Sequence, residues 1–279
     1  MSNAKVVFDS IKNKWVGVIG TRIVVRSASK DYVERKLQET GVNLETVSDK
    51  PKVQFSVTER FGFINQFVTL VSLKKLNSFI LTGSGGLGKT YSVIEGLKKS
   101  GKKEDKDFVV IRGYSTAKAL YRNLFENNGK VIIFDDADSV HKDAVGANIL
   151  KAALGSEDRR MISWNSERAE SDDLPSRFQF TGRVIFISNL SQDQFPQAII
   201  SRSMKVDLTL NTEEKVERIV EVFKSIKAEV SVKDEVLAFI KKYANEASDL
   251  NIRSALAVLK LRQDIGANWE RLALYNFVG

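Results

Sequence analysis

The most constraining feature of this sequence is a glycine-rich run that lies between an apolar segment and a helical pattern. The apolar segment is Phe79-Ile80-Leu81, and the run is Gly83-Ser84-Gly85-Gly86-Leu87-Gly88-Lys89-Thr90. The spacing G-x-x-x-x-G-K-[ST], between a strand and a helix, is typical of a phosphate-binding loop. Its glycines allow backbone N–H groups to surround a polyphosphate, and the positive end of the next helix points toward the same anion. The run therefore predicts that this protein binds a nucleoside triphosphate.

The end of this run carries the side chains that such a loop needs. Lys89 is expected to reach the β- and γ-phosphates, and the Thr90 hydroxyl is expected to be a ligand of Mg²⁺. Tyr91 follows them directly. We predict that the nucleotide contacts extend from Gly83 through Tyr91.

A second motif supplies the acidic partner of the loop. The apolar run Val131-Ile132-Ile133-Phe134 is followed by Asp135-Asp136-Ala137-Asp138. A buried strand that ends in carboxylates can hold Mg²⁺ with one of them, Asp135, and can activate the attacking water with the next, Asp136. Alone this pattern also marks ordinary strand ends, but here it follows a complete phosphate loop. Asp138 is a second candidate base, ranked lower because it lies beyond the end of the strand.

Asn189 is a further candidate for the same site, and two arginines follow it along the chain. Asn189 ends the apolar run 184–188, where its amide can contact the γ-phosphate and the water, or can simply cap the strand. Arg202 ends a short predicted helix, with a surface salt bridge as its alternative role. Arg253 lies near the start of a later helix, with an exposed position as its alternative.

The chain divides into three parts by its pattern of elements. Residues 1–52 predict a small α+β appendage with a linker, in which two β-rich runs flank Gly20-Thr21 and precede a helix. Residues 53–210 predict an α/β nucleotide-binding core with a parallel sheet flanked by helices. Residues 211–279 predict a small helical lid domain, where Ser231 and Asp234 have the spacing of a capping box.

Composition narrows the class of protein. The formal charge of +8 favours a polyanionic partner such as nucleic acid, although the lysine-rich turn at 98–106 is by itself typical of a solvated loop. The absence of cysteine excludes disulfides and thiolate chemistry, and the single histidine, His141, is expected in a solvated loop. The sequence has neither a signal-peptide pattern nor an apolar run of about 20 residues, so we expect a soluble, cytoplasmic protein with no membrane partner.

Residues 57–279 resemble an AAA+ ATPase. The resemblance covers five ordered elements: a Walker A loop at 83–90, a Walker B strand at 131–136 with Asp135-Asp136-Ala137-Asp138 similar to the D-E-A-D form of clamp loaders, a sensor 1 residue at Asn189, an arginine-finger motif at Ile200-Ser201-Arg202, and a sensor 2 position at Asn251-Ile252-Arg253. The sequence pattern is also similar to that of compact bacteriophage ATPases.

The resemblance implies an ATPase that uses ATP and Mg²⁺ and assembles with itself, as a hexameric ring in the family expectation. It implies that Arg253 touches the γ-phosphate within one subunit and that Arg202 reaches the nucleotide of the neighbour. One residue departs from the family pattern, since most members carry Glu where this chain has Asp136. The shorter carboxylate must lie nearer the water to act as a base, which leaves open slow or regulated hydrolysis.

The substrate of such a motor stays open between three classes. The excess of basic over acidic residues and the family resemblance favour DNA or a DNA-bound complex, contacted through the loop at 114–118 and the excursion at 159–180. The alternative is a protein remodeller or unfoldase, in which Tyr114 or Trp164 grips a peptide, because an aromatic ring can stack on bases or pack on side chains. A third class is an ATP-gated assembly switch with weak hydrolysis.

Overall fold

A computed structural model of the chain describes residues 4–9, 14–19, 22–27, 29–40, 44–45, 55–164 and 174–279. The chain divides into two compact units, Met1–Phe55 and Ser56–Gly279. The predicted turn at Gly20-Thr21, most of the predicted linker and the acidic part of the 159–180 excursion lie outside the described residues. Within the described part of the chain, no helix is both long and apolar enough to cross a membrane.

The first unit is a four-stranded sheet with one helix. Strand β1 (Ala4–Asp9) pairs antiparallel with β2 (Lys14–Ile19), which pairs antiparallel with β3 (Arg22–Ser27), and β4 (Leu44–Glu45) lies parallel to β1. Helix α1 (Lys30–Gln38) contributes Val33 and Leu37 to a small core with Val6 of β1. Strands β2 and β3 and the helix fall where the sequence predicts them, whereas β1 is not anticipated by the sequence analysis.

The second unit is built on a five-stranded parallel sheet. Its strands are β5 (Ser78–Gly83), β6 (Phe108–Arg112), β7 (Val131–Asp135), β10 (Arg183–Ile187) and β11 (Met204–Leu208), in the order β11-β5-β10-β7-β6. Because all five run in the same direction, the carboxyl ends of β5, β10 and β7 lie side by side at one edge. The phosphate loop, Asn189 and the acidic residues all follow these ends, so the topology alone brings them together.

Helices cover both faces of this sheet. They are α2 (Val57–Ser72), α3 (Lys89–Lys99), α4 (Ala117–Glu126), α5 (Ser139–Lys142), α6 (Ala144–Ala153) and α7 (Gln197–Ile200), and a small hairpin of β8 (Met161–Ser163) and β9 (Arg177–Gln179) adjoins them. Alternate residues of β5 separate the two cores, since Phe79 and Leu81 pack with α2 and α3 whereas Ile80 packs with α4 and α6. Burial on both faces explains why the core strands are continuous apolar runs.

The chain ends in four helices, α8 (Thr212–Ser225), α9 (Val230–Tyr243), α10 (Ile252–Ile265) and α11 (Trp269–Phe277). They enclose their own apolar core, in which Phe239 contacts Trp269 and Phe277. Helix α9 begins at Val230 after Glu229, with no side-chain cap, so the capping box predicted at Ser231 is wrong. The predicted fold class, an α/β core with a parallel sheet followed by helices, is confirmed.

Candidate nucleotide-binding site

The glycine-rich loop between β5 and α3 adopts backbone conformations that require glycine at two points. Gly83 ends β5 with φ of 131°, and a Cβ there would lie 2.5 Å from the carbonyl oxygen of Leu208. Gly88 is the N-cap of α3 in a left-handed conformation, with φ of 84°. An L side chain is disfavoured in that region. The sequence spacing of the glycines therefore corresponds to a loop that turns sharply onto the N-terminus of a helix.

Lys89 is held inside this loop by three oxygens. Its Nζ donates to the carbonyls of Gly83 and Ser84, at 2.6 and 2.8 Å, and to Oδ1 of Asn189, at 2.8 Å. Burial lowers the pKa of Lys89, while the negative charges of Asp136 and Asp135 oppose that shift. The structure thus brings together the lysine of the loop and the asparagine that ends β10, as the sequence predicts for one site.

Thr90 and Asp135 are also direct neighbours. The Thr90 hydroxyl donates to Oδ1 of Asp135 at 2.8 Å. Both are hard oxygen donors, and Mg²⁺ is bound in proteins by one or two such groups together with substrate phosphates and water. Thr90 and Asp135 therefore fit the predicted Mg²⁺ site, with Asp135 only slightly exposed at the end of β7.

The second oxygen of Asp135 is bound by a residue that the sequence analysis misses. Arg112, the last residue of β6, places its Nε 3.1 Å from Oδ2 of Asp135. The two residues are register partners on adjacent parallel strands, so their contact follows from the strand order. The signal in the sequence is a basic residue directly after an apolar strand, but its meaning depends on which strand lies next to β7.

Asp136 has the position and environment of a group poised for proton transfer. It has a positive φ of 52°, its N–H donates to the carbonyl of Ile187 at 2.9 Å, and its side chain is exposed at the wall of the cleft. Partial loss of hydration in the cleft and the adjacent Asp135 charge raise the pKa of Asp136, against the attraction of Lys89. A carboxylate with a raised pKa is a stronger proton acceptor, as a general base at neutral pH requires.

Asp138, the second candidate base, is engaged elsewhere. Burial opposes its ionisation, but hydrogen bonds from His141 and Ser188 outweigh this and lower the pKa of Asp138. A carboxylate with a lowered pKa is a weaker base. The arrangement therefore favours Asp136 over Asp138 for proton abstraction.

The prediction that His141 lies in a solvated loop is wrong. His141 is in helix α5 and is 1% exposed, with its ring stacked on Phe195 at a centroid distance of 4.1 Å. Its Nε2 lies 3.3 Å from Oδ1 of Asp138. Helix α5 turns back onto β10 directly after the acidic motif, and this places the ring against aromatic residues that a linear reading of the sequence does not connect.

The start of the lid helix α10 completes the cleft. Arg253 lines it with an exposed side chain, and its positive charge acts on both Lys89 and Asp136. The N–H of Ile252 donates to the carbonyl of Gly86 at 3.0 Å, so the lid is bonded directly to the phosphate loop. Asn251 caps α10 and is buried against Gly86, a contact that the sequence analysis does not anticipate.

Arg202 lies at a different surface. Its Nη1 donates to the carbonyl of Ala198 at 2.8 Å, and it shares a depression with Lys151 and Arg159. The cleft itself is lined by Gly86, Gly88, Lys89, Thr90, Tyr91, Asp135, Asp136, Ile187, Asn189, Ile252 and Arg253. Of the predicted nucleotide contacts, Gly83, Ser84, Gly85 and Leu87 are not among these lining residues, and the Leu87 side chain is buried in the core.

Comparison with known proteins gives one similar sequence and several partial structural similarities. No protein-family model matches the chain. An uncharacterized 36.7 kDa protein from the nrdC–mobD intergenic region of Enterobacteria phage T4 is 27% identical over 255 residues, covering 84% of this chain and 78% of that protein. The alignment spans most of both chains, so it is not confined to the phosphate loop.

Among solved structures, the RuvB Holliday junction branch migration motor of Thermotoga maritima aligns with 78% of this chain and 67% of its own, at a TM-score of 0.47 and 14% identity. Domain III of the Thermotoga maritima replication initiation protein DnaA aligns with 83% of this chain and 99% of its own, at 0.46 and 14%. Brucella abortus NtrX in complex with ATP aligns with 82% of this chain and 55% of its own, at 0.47 and 13%. These partial similarities carry no argument of their own, and the α/β core with its parallel sheet is established by the strand order of this chain.

Proposed function

We propose that this chain is an AAA+ ATPase that binds ATP with Mg²⁺ and hydrolyses the ATP to ADP and phosphate. The observation that supports this most directly is the single cleft that contains Lys89, Thr90, Asp135, Asp136 and Asn189. These are the cation, the Mg²⁺ ligands, a base and a polar group for the attacking water, which are the parts that phosphoryl transfer needs.

In the proposed mechanism, the glycine-rich loop from Gly83 to Gly88 wraps the phosphates with its N–H groups and the Lys89 ammonium lies against them. Thr90 and Asp135 would hold Mg²⁺, which would neutralise part of the phosphate charge. Asp136 accepts the proton of the attacking water, which Asn189 orients. Because Asn189 already accepts a hydrogen bond from Lys89, its amide is fixed by the same group that binds the phosphates.

Two substitutions test this assignment with different readouts. Lys89→Ala removes the loop cation, and we expect equilibrium binding of a fluorescent ATP analogue to be lost. Asp136→Asn keeps the shape of the side chain but removes the base, so we expect ATP binding to persist while steady-state turnover stops. Tight ATP retention by Lys89→Ala would overturn the site, and normal turnover by Asp136→Asn would transfer the role of base to Asp138.

We propose that the active form is a homo-oligomeric ring, hexameric by the family expectation, in which Arg202 acts on the nucleotide of the neighbouring subunit. Its position away from the cleft of its own chain supports this role. Arg202→Ala should stop hydrolysis, and mixing it with Lys89→Ala subunits, which still carry Arg202, should restore part of the rate. No restoration at any mixing ratio would count against a shared site.

For the substrate, we propose DNA or a DNA-bound complex in replication or recombination, in the cytoplasm of a bacterial host. The basic charge and the T4 phage relative support this choice. The alternatives are a protein remodeller, for which Tyr114 with 84% exposure is the candidate contact, and an ATP-gated switch. ATPase rates with DNA, with an unfolded protein and with neither, at several enzyme concentrations, separate the three classes.

A further inference from the structure

We propose that the edge of the core sheet opposite the nucleotide cleft is a nucleic-acid-binding surface that holds the phosphate backbone of duplex DNA. This edge, called the basic edge, consists of the four loops that lead into adjacent strands β5, β10, β7 and β6. They span residues 73–77, 181–183, 127–130 and 98–107, counted with the last two residues of α3 and the first residue of β10. The inference rests on the proposed function only in taking DNA as the substrate of the motor.

The basic edge concentrates the charge of the chain. Its four loops contain nine lysines and arginines and three acidic residues, a net charge of +6, against +8 for the whole sequence. In the sequence these residues are scattered over more than a hundred positions, so only the lysine-rich turn is conspicuous. The parallel sheet brings them together, because each connection returns the chain to the same edge before the next of these strands begins.

Hydrogen bonds tie the loops of the basic edge into one row. Lys130 donates from Nζ to the carbonyl of Asp105 at 2.9 Å, and the N–H of Arg183 donates to the carbonyl of Lys130 at 3.0 Å. Arg183 in turn donates from Nη2 to the carbonyl of Lys74 at 3.1 Å. The surface is therefore continuous across four strands, and its positions are fixed by the sheet.

Several of its lysines have their charges available for a partner. Lys75, Lys99, Lys103 and Lys106 are exposed, and none has a carboxylate within ion-pair distance in the part of the chain that the structure describes. One nearby acid is already used, since Asp107 accepts from the N–H of Lys103 at 2.9 Å. These ammonium groups are thus free to replace the counterions of a polyanion.

Two guanidinium groups, that of the buried Arg160 and that of the half-buried Arg183, add to the positive field. Arg160 donates to the carbonyls of Ala153 and Gly182, and Arg183 donates to those of Thr181, Gly182 and Lys74. Among the described residues, neither has a carboxylate partner. Burial and the charge of Arg183 lower the pKa of Arg160 to about 10, so Arg160 is charged at neutral pH.

The size and polarity of the basic edge fit duplex DNA. Four adjacent strands place three gaps of about 4.8 Å side by side, or roughly 14 Å in all. Duplex DNA carries about one phosphate charge per 1.7 Å of axis, so a segment of this length carries about 8. The opposite edge, where ATP is proposed to bind, instead carries Asp135, Asp136 and Asp138. The two anionic ligands are therefore assigned to opposite edges of one sheet.

A nucleic acid fits this surface better than an anionic membrane does. Peripheral membrane binding commonly uses an amphipathic helix whose apolar face enters the bilayer beside its lysines. The lysines chosen below, Lys75, Lys103 and Lys106, lie on loops that are tied to a sheet edge. Such a row can follow a phosphate backbone without inserting apolar groups.

The test compares two triple charge reversals that change the net charge equally. One is Lys75→Glu, Lys103→Glu and Lys106→Glu on the basic edge. The control is Lys227→Glu, Lys241→Glu and Lys260→Glu, three exposed lysines of the lid. Fluorescence anisotropy with a labelled 30-bp duplex of mixed sequence, between 50 and 200 mM NaCl, gives the affinity and its salt dependence. Circular dichroism verifies that both variants are folded.

If the basic edge contacts phosphates, its variant should lose at least about tenfold in affinity, and the slope of log K against log salt should fall by about 2 to 3. The lid variant should keep the slope of the wild type. Equal losses of DNA affinity in both variants, or no binding of DNA by the wild type, would overturn the proposal. It would also be overturned if the wild type bound anionic vesicles but not DNA and the edge variant lost that vesicle binding. The basal ATPase rate, measured without DNA, should be the same in the edge variant, so this result and the ATPase assignment stand or fall separately.

Discussion

Replacing Gly86 by alanine tests whether the lid is seated on the phosphate loop. Gly86 has a φ of 71°, and a Cβ there would lie 2.5 Å from Cγ and 2.7 Å from Oδ1 of Asn251. Asn251 is 5% exposed and caps helix α10 by accepting from the N–H of Ser254 at 3.0 Å. The added methyl group therefore must displace the first residues of the lid helix.

The magnitude follows from three contributions. A left-handed conformation costs an L-residue about 1 to 2 kcal/mol. Displacement of Asn251 loses a helix N-cap, typically about 1 kcal/mol. It also loses the hydrogen bond from Ile252 to the Gly86 carbonyl, about 1 kcal/mol. Since the lid can relax in part, we expect a loss of about 2 to 4 kcal/mol, which corresponds to a fall in Tm of roughly 5 to 10 °C.

The assay is thermal and urea unfolding followed by circular dichroism without nucleotide, so that phosphate binding does not enter. The matched control is Gly62→Ala in helix α2, where a Cβ would meet nothing within 4 Å. This substitution should stabilise the folded protein by roughly 0.5 to 1 kcal/mol. Adding Asn251→Ser to Gly86→Ala shortens the opposing side chain but keeps a capping oxygen, so it should recover part of the loss. A Gly86→Ala protein as stable as the wild type would refute the contact between loop and lid.

Three other substitutions have defined outcomes. The pKa of Asp136 is raised on folding, so its protonated form contributes stability below pH 3.8, and this stability is lost as the pH rises through the folded pKa. Asp136→Asn cannot ionise and should therefore raise the urea midpoint at pH 7. This gain should disappear toward pH 4. Arg160→Met leaves two buried carbonyls without their donor and should destabilise by about 2 to 4 kcal/mol in the same assay, whereas a neutral effect would show that water replaces the guanidinium. Arg112→Gln should lower the Mg²⁺ concentration needed for half-maximal ATP binding by less than about fivefold, because the Arg112 side of its ion pair with Asp135 is largely exposed. An unchanged Mg²⁺ requirement would mean that Arg112 does not compete with the metal for Asp135.

The sequence predicts those parts of the site that depend on short spacing. Residues 83–90 form one continuous loop, so glycine positions and the Lys89-Thr90 pair are visible as a motif. The acidic end of β7 and the amide end of β10 are predicted because apolar strands with polar ends are local patterns. Parallel pairing then places these ends together, and this needs no long-range information beyond the fold class.

What the sequence does not predict depends on neighbours that are distant along the chain. Arg112 contacts Asp135 because β6 is the strand next to β7, and no local pattern gives that order. His141 is buried because α5 folds back on Phe186 and Phe195. Its polarity suggests a solvated position, and tertiary packing overrides this. The basic edge is hidden for the same reason, since its charges meet only after the sheet has formed.

The hydrogen bond from the N–H of Ile252 to the carbonyl of Gly86 fixes the first turn of helix α10 to the phosphate loop, so a movement of the loop tilts the whole helix. The helix has 14 residues and is about 21 Å long, so a tilt of about 10° at its first turn moves its last turn by nearly 4 Å. A rearrangement of the loop around a γ-phosphate, too small to see directly, would thus be enlarged several-fold at Ile265. The far end of the helix, rather than the cleft, is therefore where we expect the largest displacement between nucleotide states.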